Sequence, residues 1–360
     1  MSTNLHIALS RASAFALDHG LKAPVLLAPM AGACPPALSI AVAHGGGMGA
    51  CGVLMMTPEQ IRTWVREVRA QSDGPFQLNT WIPDPDPVRD QNHEAEVRSF
   101  LRQWGPTVDA AAADAPAPDF QAQCDAMIAA RPAAISSIMG LYPPDYVARM
   151  KANGIKWFAT VTTVAEALMA EAAGADAIVA QGMEAGGHRG AFQAAQAETA
   201  MVGLFSLLPA VCDAVKAPVI ATGGIADARG ISAALLLGAS AVQIGTGFLR
   251  APEAGIQPAW AAALGSASPE DTIATRAFSG RLGRSIRTRY AEAAADPAAP
   301  KPVPYPIQRY LTQAMRAEAG KADDIDRMQA WSGQSARLAP ARSAKDTVAA
   351  LWEATQSLLS

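Results

Sequence analysis

Short apolar runs recur along this chain, each followed by a stretch of helical periodicity, and that alternation restricts the fold more than any other feature. The runs are Val25–Met30, Gly47–Cys51, Phe76–Trp81, Ala134–Met139, Trp157–Val161, Ala177–Gln181, Val219–Thr222 and Ala241–Ile244. They are short and continuously apolar, as strands buried on both faces are. The segments between them, roughly ten to fifteen residues of helical pattern, are the natural crossovers of a parallel sheet. Eight strands linked in this way predict an α/β fold of the TIM-type (β/α)8 barrel. The competitor is an open doubly wound sheet, but no G-x-G-x-x-G follows the first strand.

Helix boundaries are written into the same pattern. Thr57-Pro58-Glu59 reads as a cap followed by proline at the first helical position. Thr163 with Glu166 reads as a capping box, and Gly174 as the stop of that helix. Asp227 caps a helix expected to run through Leu237 and end at Gly238.

The chain has 360 residues, room for one barrel of roughly 250 residues and a smaller appended part. Residues 1–250 are assigned to the barrel, with a helical insertion at about 83–132 marked by Pro/Asp-rich and Ala/Pro-rich stretches. Residues 251–333 lose the strand rhythm and read as a small, mainly helical lid over the barrel mouth. Residues 334–360 end in an amphipathic helix expected to return to the barrel. Half the residues are hydrophobic, 17% are charged, and the formal net charge is -3. Without a basic stripe, nucleic acid and anionic membrane surfaces are not expected partners. No run is long enough to span a membrane, and residues 1–20 lack the apolar core of a secretion signal. The four cysteines, Cys34, Cys51, Cys124 and Cys212, have neither zinc-site nor disulfide-scaffold spacing, which suits reduced thiols in a cytoplasmic protein. The five histidines are scattered and no metal site is expected. The composition leaves both monomer and homodimer open.

In such barrels function gathers at the C-terminal ends of the strands. After the first strand, Ala28-Pro29-Met30-Ala31-Gly32 is either a small-residue surface for a flat ligand or an ordinary tight turn. Asn79, at the end of the third strand, either bonds a ring edge or turns its own backbone. The sixth strand ends in Gln181 and a loop with four glycines in the nine residues Gly182 to Gly190. Glycine at that density means unusual backbone angles or close approach of a ligand. His188 inside this loop is the candidate acid or base. The seventh and eighth strands end in Thr222-Gly223-Gly224-Ile225 and Gln243-Ile244-Gly245-Thr246-Gly247, where barrels of this kind place a phosphate.

These residues together resemble the nitronate monooxygenases, over nearly the whole chain. The resemblance rests on Ala28–Gly32, on Glu184-Ala185-Gly186-Gly187-His188-Arg189-Gly190, on the two glycine turns, and on Trp331-Ser332-Gly333-Gln334. It implies an FMN barrel in which Asn79, Gln181, Gly186, Gly187, Gly223, Gly224, Gln243, Ile244, Gly245 and Thr246 contact the flavin, and Met30 lies near its ring. It implies oxidation of alkyl nitronates, and of nitroalkanes as further substrates, by O2 to a carbonyl compound and nitrite, without NAD(P)H. His188 would be the base or the substrate anchor. Arg189 is a second candidate for the nitro oxygens, unless its charge faces solvent. One position departs from the pattern. Many bacterial members carry Ser-Phe-His-Phe-Gly after the fourth strand, where this chain has Ser136-Ser137-Ile138-Met139-Gly140. The pocket histidine is replaced by an apolar residue, most simply Ile138, which bears on the substrate and not on the cofactor. Tyr142, Tyr305 and Tyr310 either line the pocket in its place or pack in the lid. The rival functions are an FMN-dependent enoyl-type reductase using NAD(P)H, a non-redox barrel enzyme binding a phosphorylated metabolite, and a binding protein without chemistry.

Overall fold

A computed structural model describes residues 3–360 of the chain. Met1 and Ser2, which begin the segment expected to lack a secretion signal, lie outside the described residues. Eight parallel strands form the barrel: β1 (Val25–Leu27), β2 (Gly49–Gly52), β3 (Phe76–Trp81), β4 (Ala134–Ile138), β5 (Lys156–Val161), β6 (Ala177–Gln181), β8 (Val219–Thr222) and β9 (Ala241–Ile244). They hydrogen-bond in the order β1-β9-β8-β6-β5-β4-β3-β2. A parallel bridge between Leu26 and Met48, with Leu27 N–H donating to Met48 O at 2.9 Å, joins the two ends and closes the barrel. The first strand stops earlier than its apolar run, because Pro29 has no N–H to continue the ladder.

The strands alternate between two cores. Val25, Leu27, Ile135, Ile178, Ala180, Val242 and Ile244 face outward and pack under the helices. Leu26, Met48, Phe158, Val179, Ile220 and Ala241 fill the barrel interior. The helix Thr3–Asp18 closes the lower end, placing Phe15 and Ala16 against that interior cluster. The helix Ala344–Leu358 packs against Pro36–His44 and Ala228–Leu236, beside the β1–β9 seam. Its approach explains Gly45, where a Cβ would lie 2.6 Å from Lys345 O, whereas β1 crowds Gly47, where a Cβ would lie 2.5 Å from Val25 O.

The caps follow the sequence with one difference. Thr57 and Gln60 form a reciprocal capping box, and Asp227 accepts from Gly230 N–H. Thr163 accepts from Glu166 N–H, but the Glu166 carboxylate does not return to it. It accepts instead from Thr162 N–H at 2.6 Å and Phe192 N–H at 2.7 Å, tying the helix to the loop beyond His188.

The long segment 83–132 holds two helices with different neighbours. Phe120–Ala130 packs on the barrel helices Pro58–Arg69 and Pro144–Ala152. Gln91–Leu101 turns the other way, and its Val97 and Leu101 share a core with Phe278, Tyr290, Ile307, Leu311 and Met315 of the lid. The segment 251–333, expected to form a lid, holds short helices and two strands of a three-stranded antiparallel sheet, in which β10 (Thr272–Thr275) pairs with β11 (Gly283–Ile286), and β11 pairs with β7 (Gly187–His188). The third strand of the lid sheet is therefore the histidine loop of the barrel. Among the described residues, no helix is long and apolar enough to cross a membrane.

Candidate active site

The C-terminal ends of the strands and the underside of the lid enclose a cavity of about 850 Å³, within the usual range for small-molecule and cofactor sites. Met30, Asn79, Gln181, Gly186, Gly187, His188, Gly223, Gly224, Gln243, Gly245 and Thr246 all border it. Ile244 does not. The period of two along β9 that turns Gln243 inward sends Ile244 to the outer core, where it is 2% exposed. Ile138 borders the cavity beside Gly190 and Thr160. Of the three tyrosines, Tyr142 is buried under β4 with its hydroxyl on Ser136 O. Tyr305 stands against Trp81, with ring centroids 5.1 Å apart. Neither these two nor Tyr310 borders the cavity.

The glycine turns after β8 and β9 have the backbone angles their composition suggested. Gly223 and Gly224 have φ of 110° and 68°, values that side chains rarely adopt. The helix that follows is already capped: Asp227 accepts from Gly230 N–H at 3.0 Å and bonds Arg229. An anion at this end of the cavity therefore meets the N–H groups of the turns rather than an open helix terminus. The segment Trp331–Gln334 laces over both turns. Gly333 N–H donates to Thr246 Oγ1 at 3.0 Å, Gln334 N–H to Glu184 O at 3.0 Å, and the Ser335 hydroxyl to Gly224 O at 2.6 Å. Gly186 lies beneath this segment with no room for a side chain: a Cβ there would be 2.5 Å from Gly333 N.

Three amides project into the mouth of the barrel, and their bonding differs. Gln181 is engaged at both ends, donating to His188 O at 3.0 Å and accepting from Gly190 N–H at 2.8 Å, so it shapes the loop. Asn79 donates to Ser136 O and Oγ. Gln243 accepts from the buried Gln77 amide at 3.0 Å. The latter two keep one amide end free of protein partners among the described residues.

His188 is held on every side. Its backbone pairs with Gly283 of β11. Its ring lies edge-on between Trp81 and Trp331, with centroids at 4.6 and 4.7 Å. Its Nε2 is 2.7 Å from the Ser279 hydroxyl. Burial, then the charges of Arg309, Arg281 and Arg316, push its pKa down to about 3, so the imidazole is neutral at physiological pH. A serine and a histidine this close suggest a nucleophile and its base. Ser279, however, is fully buried, does not border the cavity, and takes Arg281 N–H at 3.3 Å. It positions the ring.

Arg189 neither faces solvent nor enters the cavity. It is 6% exposed and donates to Gln181 O, Thr162 O and Ala200 O, clamping the loop from below. Arg281 is 1% exposed and pairs with Asp84, joining the lid to the loop after β3. The cavity has no Asp, Glu or Lys in its wall among the described residues; its charged wall residues are Arg309 and Arg316. Burial raises the Cys34 thiol to about 12 and holds Cys51 well above its usual range, so neither is a thiolate nucleophile. No cluster of metal-ligating side chains occurs among the described residues.

Sequence reasoning missed Trp81, Ser279, Arg281, Arg309 and Arg316. Trp81 is the last residue of β3, and the rule that function gathers at strand ends applied to it as much as to Asn79. The others lie in the lid, where no periodicity marks which side chains face the barrel.

Comparison with known proteins agrees with this architecture. The family model described as nitronate monooxygenase matches residues 14–354. A nitronate monooxygenase of Paraburkholderia phytofirmans is 39% identical over 339 residues, covering 92% of each chain. One of Pseudomonas aeruginosa is 37% identical over 89% of this chain and 92% of its own. Among solved structures, a nitroalkane oxidase from Streptomyces ansochromogenes superposes with a TM-score of 0.87 at 32% identity, over 96% of this chain and all of its own. FabK from Thermotoga maritima superposes with a TM-score of 0.76 at 29% identity, over 96% of both chains. A barrel closed by eight parallel strands, a glycine-lined mouth and a family match over most of the length lead to one assignment: the chain is an enzyme of the nitronate monooxygenase family.

Proposed function

We propose that the protein binds FMN and oxidises alkyl nitronates with O2 to a carbonyl compound and nitrite. The observation that carries this reading is His188, fixed between Trp81 and Trp331 at the barrel mouth and bordering a cavity lined by glycine turns, with no carboxylate in its wall among the described residues. The residues present fit FMN. N–H groups of Gly223, Gly224, Gly245 and Thr246 would hold the phosphate, the free amide ends of Asn79 and Gln243 would meet polar ring atoms, and Met30 would border the ring. When bound, FMN supplies the electron transfer between nitronate and O2.

The protein's own groups bind, orient and exclude water. Trp81 and Trp331 fix the plane of His188. Ser279 accepts Arg281 N–H and meets Nε2, leaving Nδ1 as the ring atom without a protein partner among the described residues. A base whose conjugate acid has a pKa of about 3 is poorly matched to removing the α-proton of a neutral nitroalkane near pH 7. On this reading the substrate arrives already ionised, as the nitronate, and His188, fixed between Trp81 and Trp331 at the cavity wall, serves to orient it.

A second reading, an enoyl-type flavin reductase fed by NAD(P)H, would use the same glycine turns. Anaerobic mixing of the purified flavoprotein with ethyl nitronate, and separately with NADH, discriminates the two. Loss of oxidised-flavin absorbance with the nitronate alone, and nitrite on admission of O2, is the expected result. Bleaching by NADH alone would favour the reductase, and bleaching by neither would remove both. Protein that is colourless and takes up no FMN would return the site to a non-redox phosphate binder.

A further inference from the structure

We propose that Arg309 recognises the negative charge of the substrate, its guanidinium bonding the two oxygens of the nitronate group. The inference rests on the nitronate reading above and assigns that reading its anion-binding residue. Arg309 lies on the short lid helix Ile307–Leu311 and borders the cavity. Its guanidinium makes no hydrogen bond and no ion pair with any described residue. The neighbouring buried arginines differ in this respect. Arg281 pairs with Asp84, Arg284 donates to Met183 O and Thr272 Oγ1, and Arg189 donates to three carbonyls.

Arg316 holds Arg309 in place. Its guanidinium donates to Arg309 O at 2.8 Å, Gln329 Oε1 at 2.9 Å and Thr312 Oγ1 at 3.1 Å. All three partners are neutral, so the positive charge of the pair is not cancelled. A half-buried pair of cations in a wall without carboxylates among the described residues is costly to keep empty and favours an anionic ligand. A guanidinium presents two parallel N–H groups, and a nitronate is planar with two equivalent oxygens, as a carboxylate is. His188 lacks the charge to serve this role, and Ile138 offers no polar group on its side of the cavity.

The test uses the FMN-loaded enzyme with Arg309→Gln and Arg309→Lys. Two quantities are read: KM and kcat for ethyl nitronate, and the dissociation constant of nitrate, an inert planar oxyanion, followed by flavin absorbance and tryptophan fluorescence. Arg309→Gln should raise both KM and the nitrate constant by about 10- to 100-fold, as expected for a lost charge-assisted pair. Its kcat at saturation should stay within about threefold. Arg309→Lys should recover part of the loss, and competition by neutral nitroethane should be unchanged. Unchanged nitrate and nitronate affinities in a folded, flavin-loaded Arg309→Gln would overturn the proposal. So would a loss of FMN affinity alone, which would place Arg309 in the cofactor's site. If the wild type binds nitrate through Arg309 but does not oxidise ethyl nitronate, the activity reading fails while the anion site stands.

Discussion

The two glycines that precede His188 are expected to tolerate alanine to very different degrees, and the difference tests how the cavity is held. At Gly186 a new methyl carbon would lie 2.5 Å from Gly333 N, 2.6 Å from Ser332 C and 2.9 Å from Thr246 Oγ1. The first two are backbone and have no rotamer to move away into. Restoring ordinary contact pushes the Trp331–Gln334 segment back by roughly 0.9 Å. That displacement stretches the bonds Gly333 N–Thr246 Oγ1 and Gln334 N–Glu184 O, both 3.0 Å, past hydrogen-bond range. Two lost bonds cost roughly 1 kcal/mol each, and the residual crowding roughly 1–3 kcal/mol more. If FMN binding requires the undistorted turns, Gly186→Ala weakens it by about 150- to 5,000-fold. Gly187 has φ of 74° and nothing within 4 Å of its missing Cβ. There alanine meets only left-handed backbone strain of roughly 1–2 kcal/mol, and FMN affinity should fall by no more than about 30-fold. Flavin fluorescence, quenched on binding and recovered on release, measures both constants. A Gly186→Ala protein that binds FMN within about threefold of wild type, or a Gly187→Ala protein that binds worse than it, would refute the reasoning.

Three further outcomes are expected. His188 has a folded-state pKa of about 3 against an ordinary 6.5, so its contribution is fully present above about pH 6.5 and is lost as pH falls towards 3. Denaturant titrations should show wild type losing roughly 2 kcal/mol more than His188→Gln between pH 7 and 4.5, after allowance for partial exposure; equal losses would contradict it. Asp84→Asn leaves Arg281, with its side chain 1% exposed, without its counter-charge; equilibrium unfolding should register roughly 2–4 kcal/mol of destabilisation. Ile138→Asn is not equivalent to Ile138→His, because only histidine adds a base to the cavity; Ile138→His should raise turnover of nitroethane relative to ethyl nitronate, measured as nitrite release, whereas Ile138→Asn should leave that ratio unchanged.

Much of the barrel was legible because its signals are local. Strands buried on both faces are rich in apolar residues, so all eight stood out in the sequence, although β3 and β4 also bury Gln77, Asn79, Thr80, Ser136 and Ser137. Thr57 and Asp227 cap their helices with their own side chains, within three residues of themselves. Gly223 and Gly224 were visible because positive φ selects glycine. Ile244 shows the limit of a motif: Gln243-Ile244-Gly245-Thr246 reads as one block in the sequence, but alternation along β9 divides it between cavity and core. The lid was opaque for a different reason. Ser279 reaches His188 across 91 positions of sequence, and Arg281 reaches Asp84 across 197. No local pattern records which residues a closed chain will bring together at that distance.

The lid sheet takes its third strand from the histidine loop, and this bears on how the enzyme can be altered. Because Gly283 and Arg284 pair directly with His188 and Gly187, hinging the lid outward would pull the imidazole with it, or else break that pairing. Substrate entry is thus expected around the edge of the lid rather than beneath a swinging cover. For the same reason a lid transplanted from a relative, to change specificity, should travel together with residues 184–190. Exchanged alone, it would leave the histidine strand paired to a foreign edge.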